Sequence, residues 1–284
     1  MLKSVYNLIM KTFTCSKTAK LSKFLLEEYG GKLSYSTFCK LLRNKDIKVD
    51  GRRVNLDLTL TAGMVVDCYY EPLKTELKVL YKDENIVALF KGDDITSEDF
   101  YSLVCERYKT AKAVHRLDRN TSGIILYALN ESAEKELLKA FKDRLIKKYY
   151  LAEVYGILKE KQAILTAYLK KDENLGLVKI YSKKVENSLT ITTEYQVVKE
   201  LENSSVVKIL LHTGRTHQIR AHRAHIGHFV LGDGKYGDNK INKSFGYKRQ
   251  RLCAVEVRFN FDNRSLLSYL NEITINAENK FYSK

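Results

Sequence analysis

The sequence predicts an α+β protein built in two parts, and three observations carry that prediction. Between Tyr149 and Leu211 five stretches alternate apolar and polar residues: YYLAEVY, AILTAYL, LVKIY, LTITTEYQVV and SVVKILL. Stretches with helical apolar spacing are interspersed with strands, which makes an α+β domain. The first seventy or so residues read as a separate unit of two short helices and a hairpin. With 284 residues, 44% of them hydrophobic, the chain can bury a substantial core. No Pro/Gly/Ser-rich linker, low-complexity tract or internal repeat interrupts it, so the boundary rests on the length of the first unit: 1–73 and 74–284.

In the first unit, Leu21, Phe24 and Leu25 fall at i, i+3 and i+4 within Lys20–Tyr29, one apolar stripe of a helix that Gly30-Gly31 ends. Ser34 is the expected N-cap of a second helix with Phe38, Leu41 and Leu42 on its apolar face. Lys40 and Arg43 lie on the opposite side, and Lys45 and Lys48 follow. IKVDGRRV then reads as strand, Asp-Gly turn and strand, placing Arg52 and Arg53 at the hairpin, and LTAGMVVDCYY as a further turn and strand.

The second part opens with LKVLYKDENIVALFK, two strands joined by Lys82-Asp83-Glu84-Asn85, and Asp99–Thr110 is expected to be helical. The stretch AVHRLDRNTSGIILYAL follows, setting Asp118 between Arg116 and Arg119. Its turn, Asn120–Gly123, delivers the acid to the entry of a strand over Ile124–Leu129. On spacing alone, an acid between two bases is usually a salt bridge in a turn. The rigid strand beside it and two cations that favour its ionised form also suit a carboxylate that reacts. Asn130 or Ser132 caps the next helix, in which Leu137, Leu138, Phe141 and Leu145 share a face.

Forty-nine Lys+Arg against 34 Asp+Glu give a formal charge of +15, spread along the chain. A folded basic surface of this kind attracts a polyanion, nucleic acid first. Residues 1–72 alone hold 12 basic and 7 acidic side chains, 12 − 7 = +5. The five cysteines are far apart and odd in number, which predicts neither a zinc ribbon nor a disulfide framework and suits a reducing cytosol. The apolar run Val5–Met10 is too short for a signal peptide and no 18-residue apolar segment follows, so a soluble, cytoplasmic protein without membrane association is expected.

Two resemblances sharpen this reading. KLSKFLLEEY…LSYSTFCKLLRNKDIKVDGRRV…LTAGMVVD resembles the alpha-L (ribosomal-protein-S4-like) RNA-binding module over about fifty residues. That likeness implies that Lys40, Arg43, Lys45, Lys48, Arg52 and Arg53 contact the phosphates of structured RNA, whose deep groove hides its base edges. HRLDRNTSG is similar to the motif around the catalytic aspartate of RluA-type pseudouridine synthases, in which Asp118 holds that position. KYYLAEVYG at 148–156, Thr193 with Tyr195, HTGRTHQIRAH at 212–222 and IGHFVLGDGKYG at 226–237 match further motifs of the family in order.

The resemblance implies the pseudouridine-synthase fold: a mixed, largely antiparallel sheet with flanking helices and a central cleft. It also implies catalysis by Asp118, Tyr150 and Arg220. Asp118 would act on the ribose, either attacking C1′ or removing the 2′ proton; Tyr150 would pack on the flipped base; Arg220 would keep Asp118 ionised. Arg116, Arg119, Lys148, Arg215 and His217 would face the RNA, with Arg119 entering the gap left by the flipped nucleotide. The isomerisation gains and loses no atoms, so no cofactor or metal is expected. Structured RNA, above all large-subunit ribosomal RNA, is the expected partner, and a monomer the expected state.

The third motif is open to a geometric check. With Thr216 as cap, Ile219 and Ile226 fall about 20° apart at roughly 100° per residue. His217, Arg220 and Ala224 then share another face, and His222 falls nearer the core as a hydrogen-bonded structural histidine. Five of six histidines cluster here, His212, His217, His222, His225 and His228, but Arg215, Arg220 and Arg223 among them disfavour a bound metal ion. Three departures stand out: FKGDDITSEDF is short where the family has Pro-x-Gly and a longer loop, Phe229 replaces Pro, and LCA at 252–254 replaces L-H-A. The short loop bears on substrate choice. The competing readings are a catalytically silent RNA-binding or ribosome-assembly factor and a histidine-based, metal-dependent RNA hydrolase.

Overall fold

The computed structural model describes residues 10–30, 33, 35–70, 76–172 and 176–278. Contacts divide the chain into two compact units, Met1–Leu77 with Glu98–Lys109, and Lys78–Ser97 with Thr110–Lys284. The boundary expected near residue 73 and the expected cap Ser34 lie outside the described residues.

The first unit packs helices α1 (Leu21–Glu28) and α2 (Tyr35–Asn44) over a small sheet. Leu21, Phe24 and Leu25 of α1 and Phe38, Leu41 and Leu42 of α2 are buried together, as their spacing predicts. Gly30 ends α1 at φ 57°, a left-handed conformation that glycine enters without penalty. The sheet runs β1 (Met10–Thr14), β6 (Val65–Tyr69), β3 (Ile47–Val49), β4 (Arg52–Arg53), with β2 (Ala19–Lys20) and β5 (Thr59–Leu60) forming a separate pair. Asp50 and Gly51 turn β3 into β4 at φ 48° and 75°, as a two-residue primed turn requires. Helix α3 (Ser97–Arg107) clusters with this unit, and its Asp99 accepts a hydrogen bond from Thr37 Oγ1 at 3.1 Å.

An 11-stranded mixed sheet forms the second unit. In chain order it comprises β7 (Lys78–Lys82), β8 (Ile86–Lys91), β9 (Lys112–Ala113) and β10 (Ser122–Ala128). After helix α4 (Glu131–Lys142) come β11 (Ile146–Tyr155), β12 (Gln162–Asp172), β13 (Leu177–Tyr181), β14 (Leu189–Glu200) and β15 (Ser204–Leu211). Helices α5 (Gln218–His225) and α6 (Asn239–Ser244) precede β16 (Leu252–Phe259) and β17 (Thr274–Asn276). The main order is β13-β12-β14-β15-β11-β16-β10-β8-β7, with β9 on β10 and β17 on β16. Every pairing is antiparallel except β10 with β16.

That parallel pairing explains the glycine of the NTSG turn. Gly123 sits at φ 118°, and a Cβ there would lie 2.2 Å from the Ala254 carbonyl oxygen. Only glycine lets the turn after Asp118 approach β16 so closely. Asn130 caps α4 by accepting from the Ala133 N–H at 2.9 Å. Leu137 of α4 is buried and Phe141 and Leu145 pack on the same core, Leu145 from just past the helix end, but Leu138 is 47% exposed. The shared face is thus narrower than expected, because consecutive residues on a helix point about 100° apart.

Candidate active site

Asp118 stands in a tight turn that the chain closes with its own backbone, the Thr121 N–H donating to the Asp118 carbonyl at 3.0 Å. Beneath it is Lys91, a wholly buried lysine whose Nζ donates to the carbonyls of Gly92, Ile95 and Arg119 at 2.9, 2.9 and 3.1 Å. Burial pushes Lys91 down to about 8, against the pull of Asp93 and Asp118. One cation thus ties the shortened loop after β8 to the turn that carries the acid.

The Asp118 carboxylate opens into a cavity of about 140 Å³. Arg116, Lys148, Tyr150, Arg215, His217 and Arg220 line it, together with Leu117, Leu211 and Leu252. Arg220 Nη1 donates to Asp118 Oδ2 at 3.0 Å. The other edge of the same guanidinium grips Asp233, Nε to Oδ2 at 2.7 Å and Nη2 to Oδ1 at 2.9 Å. Burial works against the Arg220 cation, but the hydrogen bonds and charges of Asp233 and Asp118 outweigh it and raise its pKa. Asp233 is 1% exposed and is itself fixed by the backbone N–H groups of Lys235 and Tyr236. The result is a rigid fork that presents one N–H edge to Asp118.

His217 lies beside it, Nε2 at 3.9 Å from Asp118 Oδ2. Its Nδ1 is 2.8 Å from the Tyr236 hydroxyl, whose oxygen already accepts the Val178 N–H at 3.0 Å. This places Tyr236 to donate its hydroxyl proton to Nδ1, the arrangement in which the imidazole proton is on Nε2, facing the carboxylate. Burial, aided by the Arg220 and Lys235 cations and opposed by Asp118, lowers the His217 pKa and favours the neutral ring. Tyr150 is 5% exposed and sits at a register shift of β11 against β16; desolvation first, then the Asp118 charge, raise its pKa.

The loop from Thr213 to α5 is held by one buried side chain. Gln218 accepts from Thr213 Oγ1 and the Arg215 N–H, and donates to the Thr192 carbonyl and Thr193 Oγ1. The helix therefore begins after His217, at φ 53° with no side-chain cap, and not after a Thr216 cap. The amide of Gln218 instead ties the loop before the helix to β14, through Thr213 and Arg215 on one side and Thr192 and Thr193 on the other. His217 and Arg220 nonetheless meet at Asp118 as their spacing suggested, while Ile219 is buried and Ile226 follows the helix end, half exposed. His222 is buried with Nδ1 3.1 Å from Thr193 Oγ1 and is pushed down to about 4, chiefly by burial. Among the described residues no group of three His, Cys, Asp or Glu could hold a metal ion.

Seven of the expected site residues therefore share one cavity: Arg116, Asp118, Lys148, Tyr150, Arg215, His217 and Arg220. Arg119 does not line it; its Nη2 pairs with exposed Asp94 at 2.7 Å. Lys40, Arg43, Lys45, Lys48, Arg52 and Arg53 belong to the first unit, where Arg43, Lys45, Arg52 and Arg53 are exposed and Lys40 and Lys48 half-buried. Asp233, Tyr236, Gln218 and Lys91 escaped the residue-by-residue reading. Asp233 and Tyr236 stand in the quoted GDGKYG, and Gln218 in THQIR, so motif membership was the signal available for them.

Comparison with known proteins agrees with this architecture. The family described as RNA pseudouridylate synthase matches residues 77–225, more than half of the chain. An uncharacterized RNA pseudouridine synthase of Helicobacter pylori J99 is 41% identical over 181 residues, 63% of this chain and 69% of its own. The dual-specificity RNA pseudouridine synthase RluA of Haemophilus ducreyi is 37% identical over 199 residues, 65% of this chain and 86% of its own. The ribosomal large subunit pseudouridine synthase C of Vibrio vulnificus is 28% identical over 256 residues, 79% of each chain. Among solved structures, human RNA pseudouridylate synthase domain containing 1 superposes with a TM-score of 0.63 at 25% identity, covering 72% of this chain and 84% of that one. With a matching family, a matching fold and a preformed acid–arginine cavity, the chain belongs to the RNA pseudouridylate synthase family.

Proposed function

We propose that this protein converts specific uridines in structured RNA to pseudouridine, with Asp118 as the reacting acid. The observation that carries the reading is the Asp118–Arg220 pair at 3.0 Å, lining a small cavity and braced from behind by Asp233. The reaction breaks the N1–C1′ bond, turns the uracil and joins C5 to C1′; the proton leaving C5 balances the one gained at N1. Asp118 starts it by attacking C1′ or by taking the 2′ proton, and in either route Arg220 holds the carboxylate in place. The base must leave the stack to reach the acid, and buried Tyr150 offers it a flat wall. Asp233 and Gln218 act as positioning residues.

Large-subunit ribosomal RNA is the proposed target, since the relatives named ribosomal large subunit pseudouridine synthase C match over 79% of this chain. The two helices and basic hairpin of the first unit serve as an alpha-L-type RNA grip, joined to the catalytic domain near residue 73. A cytoplasmic monomer fits this role; among the described residues no helix is long and apolar enough to cross a membrane. The test is to map pseudouridines by carbodiimide treatment and reverse-transcription stops in RNA from a host strain lacking the protein. Complementation with wild type should restore specific stops and Asp118→Asn should not. If no stop in any RNA class depends on the protein, the reading fails and a silent RNA-binding factor replaces it.

A further inference from the structure

A second cavity, of about 430 Å³, lies against the first. The two share Arg116, Lys148, Leu211, Gly214 and Arg215 in their walls. The second adds Lys142 and Arg144 from the end of α4 and the turn beyond it, and His212 from the end of β15. Among the described residues no carboxylate lines it. Glu194 stands behind, its carboxylate 2.7 Å from His212 Nε2. Lys142, Arg144 and Arg215 carry no ion pair among the described residues.

Lys148 stands where the cavities meet. Its ammonium is over the Phe141 ring, 5.2 Å from the centroid, and a Cβ on Gly214 would be 3.7 Å from it. It meets no carboxylate among the described residues, and desolvation alone pushes it down to about 8. The His115 ring, kept neutral by burial, packs on Phe141 with centroids 4.7 Å apart and adds no second positive charge beside the lysine. A desolvated cation without an anion is costly, so it is a strong place for an anion to arrive. Next to a cavity for one base, the anion that arrives with the substrate is a backbone phosphate.

We propose that the second cavity is a subsite for the nucleotide adjoining the target uridine, with Lys148 gripping the phosphate between the two. This rests on the isomerase reading above. Lys142, Arg144, Arg215 and His212 hold the neighbour's sugar and outer phosphate, and walls this rich in cations without a carboxylate suit a backbone more than a base edge. The subsite therefore supplies grip and register more than base choice. It also selects for a target whose flanking nucleotide has left the duplex with it.

The test compares two charge-matched pairs of substitutions in the full chain. The first is Lys142→Ala with Arg144→Gln; glutamine replaces Arg144 because that residue has φ 61° and a β-carbon is already tolerated there. The second is Lys135→Ala with Lys139→Ala, exposed residues of the same helix that line neither cavity. Tritium release from 5-³H-uridine RNA of a strain lacking the protein gives kcat and KM. The first pair should raise KM about tenfold with kcat within about twofold, and flatten the salt dependence by about one unit of log–log slope. The second pair should stay within about twofold of wild type, and thermal melting checks that all variants fold. An equal rise in KM for both pairs, or none for the first, overturns the subsite. If the wild type releases no tritium from any RNA, it is the isomerase reading that fails. Equilibrium binding of that RNA by the same variants then still reads the cavity.

Discussion

The cations around Asp118 and those of the first unit are chemically alike and physically opposite. Arg220 is 5% exposed, spends all its described donors on two carboxylates, and has one available geometry. Arg52, Arg53, Lys45 and Arg43 are exposed, and the hydrogen bonds described for them reach only local carbonyls, such as Arg53 to Lys45 O at 3.0 Å and Arg43 to Cys39 O at 3.3 Å. Two carboxylates offset the burial of Arg220, and that pairing fixes the position of its partners. Exposed ones are screened, mobile and individually weak, so they add affinity for a polyanion and little else. Chemistry and grip are thus held in different residues and are separable by mutation.

The sharpest break of that comparison is Asp118→Asn, which keeps the shape and removes the charge. Pseudouridine formation should fall at least about 10³-fold while the fold is kept; near-normal turnover would remove Asp118 from the chemistry. Asp233→Asn leaves Arg220 short of a buried charge. It should lower stability by about 3 kcal/mol and slow turnover roughly a hundredfold, seen as a lower denaturant midpoint and a lower kcat. Gly123→Ala forces a Cβ onto the Ala254 carbonyl and should cost stability and kcat together, without changing the salt dependence of binding. In the first unit, Lys40→Ala with Arg43→Ala should raise KM roughly three- to tenfold and reduce the salt slope, with kcat nearly kept. A loss of kcat there would mean that grip and chemistry are not separate.

The last effect is on acid stability. His222 is pushed down to about 4 and His115 to about 3, burial being the main cause in both. Unfolded histidines take up protons near about 6.5, so the unfolded state binds more protons in the window below that. Stability present above pH ~6.5 is therefore lost as the pH falls toward 4 and 3. The midpoint of thermal unfolding should drop over that range, and drop less in His222→Gln.

Local patterns reached far into this fold. The stripe Leu21, Phe24, Leu25, the Asp50-Gly51 turn and the Asn130 cap are each set by neighbouring residues, and each sits where periodicity or turn chemistry places it. The strand β16 is legible only in part. VEVRF alternates apolar and charged residues, but LCA, buried between β11 and β10, carries no period, and long-range pairing defines that end. The clamp of Arg220 by Asp233 spans 13 residues and a turn, beyond any helical or strand period. The three-carbonyl seat of Lys91 is hidden for a related reason, because a lysine in sequence looks like surface. A buried cation is recognisable only once the carbonyls that surround it are in place.

The separation of chemistry from grip can be measured in one experiment on purified wild type and Asp118→Asn. Each is given the same 5-³H-uridine RNA, and equilibrium binding and tritium release are followed together. The account predicts binding within about threefold of wild type and no release above background for the variant. Retained release, or a loss of binding that by itself accounts for the loss of release, would contradict it.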